Sequence, residues 1–140
     1  MERDGGRGYV LHLGEGLAGY DSSVKASRAS TNGMLTVIES RMRGGAPWHV
    51  HSREDECFYV LEGEIIVHCG DEVWNAGPHA FVFLPRGIPH AWDVVGGEAT
   101  VLMITVPAML EEFLREFHAA DADKRDEVAA KYGMTFLRPM

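Results

Sequence analysis

Two histidines alternate within the stretch Trp48-His49-Val50-His51-Ser52-Arg53-Glu54-Asp55-Glu56. Alternate side chains of a β-strand point to the same face, so His49 and His51 are expected to direct their imidazoles toward one point. Glu56 follows after room for a short turn and the start of a returning strand. Two neutral imidazoles and a carboxylate suit a divalent transition metal. His90 is a third imidazole, far along the chain, that only the fold could bring to this set.

Short segments rich in β-forming residues surround the histidine stretch and are separated by Gly and Pro. We predict further strands over residues 9–13, 24–27, 34–42, 56–61, 64–68, 72–75, 80–84, 90–95 and 99–106. Turns are expected at Glu62-Gly63 and at Gly96-Gly97, because glycine readily adopts turn conformations. Regularly spaced short strands of this kind are typical of an antiparallel β-sandwich or barrel.

The chain changes character after Pro107, where a helix is predicted to begin. Apolar residues then recur at helical spacing, namely at Leu110, Phe113, Leu114 and Phe117. Asp121 or Asp123 is expected to cap a second helix that stops at Gly133. We therefore expect residues 1–106 to form the β-domain and residues 107–140 to form helices packed on its outside.

Composition limits the function classes. The chain has 140 residues, 46 % of them hydrophobic, and a formal charge of −8, which favours one globular domain and argues against nucleic acid or an anionic membrane as partner. Cys57 and Cys69 are too few for a disulfide scaffold, so we expect reduced thiols. There is no apolar segment typical of a signal peptide or membrane span, and we expect a cytoplasmic protein that binds a small molecule.

The histidine stretch resembles the first motif of the cupin superfamily. That motif runs Gly, five residues, His-x-His, three or four residues, Glu, six residues, Gly. The chain has His49, His51, Glu56 and Gly63 in step with it, whereas Gly44 stands only four residues before the first histidine.

A second cupin motif runs Gly, five residues, Pro-x-Gly, two residues, His, three residues, Asn. Pro85, Gly87 and His90 match it, while His79 and Val94 occupy the leading glycine and closing asparagine positions. Both motifs lie within residues 44–94. The departures fall on turn and supporting positions and leave the four candidate metal ligands intact.

The resemblance is to small single-domain cupins grouped with quercetin 2,3-dioxygenases. It implies an all-β, antiparallel jelly-roll barrel with a C-terminal helical extension. It also implies one divalent transition metal per chain (Fe, Mn, Ni, Cu, Co or Zn), held by His49, His51, Glu56 and His90, and commonly a homodimer.

These features lead to the hypothesis of a metal-dependent dioxygenase or oxygenase acting on a small aromatic or enolic compound. Glu56 would be a ligand, a catalytic base or both. Glu54 is a rival ligand, but Glu56 is favoured because Glu54 is expected nearer to the turn and to water. A metal-assisted isomerase or cyclase and a non-catalytic small-molecule-binding protein remain alternatives, since fold does not determine function.

Strand alternation also predicts the pocket and the subunit interface. Side chains that share a face with the ligands are expected to form the substrate pocket; they are Ile38, Phe58, Val60, Trp92 and Met103. The opposite face of the same sheet is expected to be apolar; its members are Cys57, Tyr59, Leu61, Val82 and Leu84. We expect a symmetric homodimer with either this outer face or the first strands in its interface.

Overall fold

The computed structural model describes residues 6–137, which form eight β-strands and two α-helices. The strands are β1 (Val24–Ala26), β2 (Thr36–Met42), β3 (Ala46–His51), β4 (Asp55–Cys69), β5 (Glu72–Ala76), β6 (Phe81–Leu84), β7 (His90–Val106) and β8 (Met134–Phe136). The helices are α1 (Leu110–Ala119) and α2 (Arg125–Lys131), the latter preceded by a 3-10 turn over Ala122–Lys124. Neither helix of the described chain has the length and apolar character that crossing a bilayer requires.

The two longest strands, β4 and β7, pair with each other along their lengths and contribute to two sheets. In the first sheet the order is β1-β2-β7-β4-β6, using residues 99–106 of β7 and 55–62 of β4. In the second sheet the order is β8-β3-β7-β4-β5, using residues 90–95 of β7 and 64–69 of β4. All these pairs are antiparallel, and the result is a jelly-roll fold whose outermost strands leave it unclosed.

Both shared strands bend at glycines where they pass from one sheet to the other. Gly63 has a φ of +81°, and Gly96 and Gly97 have φ values of +73° and +96°. The β4–β7 register shifts between Val60 and Glu64, as expected where extra residues bend a strand. The predicted division of residues 56–68 and 90–106 into separate strands was therefore wrong: the glycines bend the strands without ending them.

The core lies between the two sheets and follows the period of two expected for strands. In β4, Phe58 and Val60 from the first sheet and Ile65 and Val67 from the second are fully buried. Their neighbours in sequence are half-buried or exposed. The bend between Val60 and Ile65 is what allows one strand to supply side chains to both walls of the same core.

The C-terminal segment differs from its prediction in several ways. Helix α1 begins at Leu110, not Pro107, and neither helix has a side-chain cap, so the expected capping by Asp121 or Asp123 is absent. Gly133, with a φ of +76°, follows α2 as predicted. The chain then returns to the second sheet as β8, a strand that was not predicted, whereas residues 9–13 form no strand.

Candidate metal centre

Four side chains from both sheets come together at one end of the core. His49 and His51 lie on β3 and His90 begins β7 in the second sheet, while Glu56 lies on β4 in the first. Each offers a ligand atom, and these atoms all lie within 4.8 Å of one another. None of the four residues is more than 3 % exposed. The antiparallel register that places His49 opposite His90 brings the distant histidine to the other two.

Hydrogen bonds orient two of the imidazoles. Nδ1 of His49 lies 2.7 Å from the Pro47 carbonyl oxygen, and Nδ1 of His51 lies 3.0 Å from Oε1 of Glu54. Because both partners accept, Nδ1 must carry the proton in each ring. The lone pair of Nε2 is then available to the cluster, the arrangement commonly found for metal-ligating histidines.

The polar atoms at the middle of the cluster are buried without hydrogen bonds. Oε1 of Glu56 lies 3.2 Å from Nε2 of His90 and 3.6 Å from Nε2 of His51. Within the described residues, none of these three atoms has a hydrogen-bond partner. Buried polar atoms are nearly always satisfied, and an ion coordinated by them would remove the cost. Three imidazoles and one carboxylate are also a donor set suited to a divalent transition metal, so the residues fit such an ion.

The electrostatic environment agrees with that fit. Burial lowers the pKa of His49 to about 4, which keeps this ring neutral at physiological pH, the form that ligates metals. Burial also acts to lower the pKa of His51, but the hydrogen bond to Glu54 and the negative charges of Glu56 and Glu54 outweigh it and raise that pKa. The carboxylates thus favour positive charge on the His51 ring itself, and a bound cation would displace the proton that carries it.

Glu54 occupies a different place from the one predicted. It was expected near water, yet it is 2 % exposed and bonded to His51. The C-terminal segment causes this, because it covers the turn that precedes Glu54. The Ser52 amide donates to the Gly133 carbonyl at 2.8 Å, and the Arg53 guanidinium donates to the Lys131 carbonyl at 2.9 Å. Glu54 therefore lies outside the four-residue cluster and orients one of its members.

A cavity of about 390 Å³ opens onto the cluster. Trp92 and Met103, two of the residues predicted to line a substrate pocket, lie in the wall of this cavity. Phe58 and Val60 point inward as predicted but are wholly buried in the core, where the Phe58 ring packs edge-on against Trp92 at 4.9 Å. Ile38 lines a separate, adjacent cavity. Phe58, Val60 and Ile38 thus share a face with the ligands but do not line this cavity, because a shared face does not specify depth.

The remaining wall comes from residues that were predicted only to pack. Helix α1 lies over the cavity instead of on the outside of the sheets. Its lining residues are Leu110, Phe113, Leu114, Phe117 and His118, and β8 adds Met134 and Phe136. The helical spacing of the apolar residues was visible in the sequence, but nothing in it showed which surface the helix would cover.

Comparisons with known proteins agree with this architecture. The family model described as Cupin domain matches residues 38–107, a segment that contains the whole cluster. Quercetin 2,3-dioxygenase from Bacillus subtilis (strain 168) is 28 % identical over 118 residues, covering 80 % of this chain and 35 % of that protein. The chain thus spans about a third of the length of this relative.

Solved structures share the fold. KdgF from Halomonas sp. superposes with a TM-score of 0.56 at 20 % identity, covering 64 % of this chain and 79 % of its own. A cupin-2 domain containing protein from Shewanella frigidimarina NCIMB 400 gives 0.50 at 25 % identity, with coverages of 60 % and 76 %. Streptomyces PAC13 with uridine gives 0.51 at 20 % identity, with coverages of 57 % and 64 %. With the family match spanning both motifs and all four clustered side chains, the chain belongs to the cupin family.

Proposed function

We propose that this cupin is a metal-dependent enzyme, an oxygenase acting on a small aromatic or enolic compound. The observation that carries the proposal is the buried set of His49, His51, Glu56 and His90. In the described structure, facing atoms of three of them (His51, Glu56 and His90) lack hydrogen bonds. These four residues would hold one divalent transition metal per chain. When bound, such an ion would supply Lewis-acid chemistry at a substrate hydroxyl and, if redox-active, a route for electrons to O2.

The protein's own groups have separable tasks in this proposal. His49 and His51 are fixed in one tautomer by Pro47 and Glu54, so their geometry is set before a substrate arrives. Glu56 is the carboxylate of the cluster, and its Oε1 is the oxygen positioned to accept a proton from a substrate hydroxyl. We assign Glu56 both roles, as a ligand and as a base.

The cavity supports the substrate class. Its walls are mainly apolar and include the rings of Trp92, Phe117 and Phe136. A planar aromatic molecule would bury its ring against these walls and present an oxygen to the cluster. The weak similarity to a protein named quercetin 2,3-dioxygenase points to the same chemistry, although it covers 35 % of that relative.

A second candidate is a metal-assisted isomerase or lyase that does not use O2. It is favoured by the carboxylate of Glu56, which could move a substrate proton beside the bound metal without any oxidant. One relative in fold, Pac13, is a nucleoside dehydratase, but at 18 % identity it supports the architecture and not the activity.

Metal content and oxygen consumption distinguish these candidates. Protein purified without added metal should contain close to one transition-metal ion per chain by elemental analysis. His49→Ala should lose most of it, and His12→Ala, which removes an exposed histidine, should retain it. Oxygen uptake with quercetin or a simpler enol in the loaded protein would support the oxygenase. Turnover with zinc and without oxygen uptake would favour the second candidate. Full metal content in His49→Ala would refute the site.

We also propose a symmetric homodimer that uses the outer face of the first sheet. The register places Phe81 beside Tyr59 and Phe83 beside Cys57 on this face. Phe81 and Phe83 are 61 % and 50 % exposed, whereas Val82 and Leu84, expected on this face, are buried. An exposed apolar face of this kind favours self-association. Light scattering should give twice the chain mass, and Phe81→Ser should give the monomer; a wild-type monomer at micromolar concentration would refute this.

A further inference from the structure

The cavity wall is divided along the chain. The cupin match ends at residue 107, and all four cluster residues precede that point. Helix α1 and strand β8 follow it, and they supply nearly half of the residues that line the cavity. The cluster therefore lies in the segment that matches the cupin family, whereas much of the surface that a ligand would touch comes from the residues that follow it.

Aromatic rings run from the cluster into this C-terminal wall. The Phe136 ring lies 6.0 Å from the His49 ring and 5.8 Å from the Phe117 ring, and Phe117 lies 5.1 Å from Phe113. The guanidinium of Arg125 sits 5.2 Å over the Phe117 ring. Phe117 is thus held between neighbours on two helices and one strand, and it lines the cavity while remaining only half-buried.

The C-terminal wall carries little charge. Among the described residues that line the cavity outside the cluster, His118 is the only ionisable side chain. Arg115, on the same helix, is directed over the Tyr20 ring at 5.2 Å and lines the adjacent cavity instead. A charged ligand group entering the cavity away from the cluster would lose its water, and among the described lining residues there it could meet no ionisable partner except His118. This wall therefore suits an uncharged ring.

We propose that α1 and β8 form the specificity element of the protein and that Phe117 is the residue that limits ligand size. This inference rests on the proposed function, because it takes the cavity to be the place where the substrate binds. It narrows the ligand class to uncharged, planar aromatic molecules that fit a cavity of about 390 Å³ and carry a hydroxyl that reaches the cluster.

Equilibrium binding to the full chain tests this without any assay of turnover. The probes are 2-naphthol, its charged counterpart 6-hydroxynaphthalene-2-sulfonate, and the larger 9-phenanthrol. The charged probe keeps the hydroxyl and carries its charge at the far end of the ring system. All three are titrated calorimetrically into zinc-loaded and metal-free protein. The variants are Phe117→Ala and the more conservative Phe117→Leu. Val73→Ala, which truncates an apolar side chain that is 57 % exposed on β5, is the control. Far-ultraviolet circular dichroism monitors folding, and Phe117→Leu carries the test if Phe117→Ala does not fold.

The wild type should bind 2-naphthol more tightly than 6-hydroxynaphthalene-2-sulfonate, whose charge would lie against the C-terminal wall. Phe117→Ala should weaken 2-naphthol binding about tenfold, the loss of one aromatic contact with its buried area, and should strengthen binding of 9-phenanthrol. Val73→Ala should behave as wild type. Equal affinities in the wild type and both Phe117 variants, or equal affinities for the neutral and charged naphthalenes, would overturn the proposal. If the protein bound no metal but its affinity for 2-naphthol still depended on Phe117, the role of Phe117 would be supported and the proposed metal-dependent function would be refuted. If the protein bound metal but its affinity for 2-naphthol did not depend on Phe117, the metal site would be supported and the role of Phe117 would be refuted.

Discussion

Replacement of Glu54 tests whether a carboxylate outside the cluster controls its affinity for metal. Its Oε1 accepts a hydrogen bond from Nδ1 of His51 at 3.0 Å, and both side chains are at most 3 % exposed. Water therefore cannot easily replace the carboxylate. In Glu54→Gln the amide oxygen can still accept this proton, but the charge is lost. In Glu54→Ala the Nδ1–H loses its acceptor, and nothing fixes the tautomer or the ring orientation.

The expected losses follow from the role of such partners. Removing a group that orients a ligating histidine typically weakens metal binding 10–100-fold, or roughly 1.4–2.7 kcal/mol. We expect Glu54→Gln near the lower limit and Glu54→Ala near the upper one. Zinc affinity is measured by competition with a chromophoric chelator. Glu62→Gln, which neutralises an exposed carboxylate on β4, the strand that follows Glu54, is the matched control and should leave the affinity unchanged.

Two results would refute this role. If Glu54→Ala bound zinc as tightly as the wild type, the hydrogen bond would have no influence on the cluster. If Glu54→Gln lost its metal while Glu56→Gln retained it, Glu54 would be the ligand and Glu56 would not. The second result would also remove Glu56 from the proposed mechanism as a ligand.

Three further predictions concern the ligand set, the helix and a bend. His90→Ala should remove most of the metal by elemental analysis, because it deletes one of the four clustered donors; wild-type content would contradict the site. Glu111→Ala removes the acceptor of the buried Thr36 hydroxyl and of the Arg28 amide. The free energy of unfolding, measured with urea, should therefore fall by about 2–3 kcal/mol. A fall below about 0.5 kcal/mol, as for an ordinary surface substitution, would mean that these two hydrogen bonds do not hold α1 in place. Gly63→Ala should lower the free energy of unfolding by about 1–3 kcal/mol in the same assay. The reason is that φ of Gly63 is +81° and a Cβ there would lie 2.7 Å from the Glu98 carbonyl oxygen. An unchanged urea midpoint would show that the bend in β4 does not require glycine at this position.

The sequence predicted the cluster well because its spacing is local. His49 and His51 alternate on one strand, and Glu56 begins the next, so only His90 required knowledge of the fold. The Pro-x-Gly motif before His90 resembles the second cupin motif, and this resemblance indicated that His90 joins the other three residues. Strand positions followed from β-forming residues and breakers, but the glycines at positions 63, 96 and 97 were ambiguous between a turn and a bend. Periodicity does not distinguish these two.

Long-range packing accounts for the other errors. Glu54 is buried because residues 131–133 cover its turn, and no local pattern near Glu54 indicates that contact. Strand β8 has three residues, too few to show alternation. Phe117 was recognised as part of an amphipathic helix, yet the surface that this helix covers depends on the return of β8 to β3.

Sharing β4 and β7 between the sheets has a consequence for how the protein opens. Neither sheet can separate from the other without breaking pairs within the same two strands. Backbone amides at Phe58 in one sheet and Val67 in the other should therefore exchange with deuterium through one common, global opening. Edge strands such as β1 and β8, which pair with a single neighbour, should exchange through smaller local openings. Residues around the cluster should therefore exchange by both routes. His90 lies on β7, which should open only in the global event, and Phe136 lies on β8, which should also open locally.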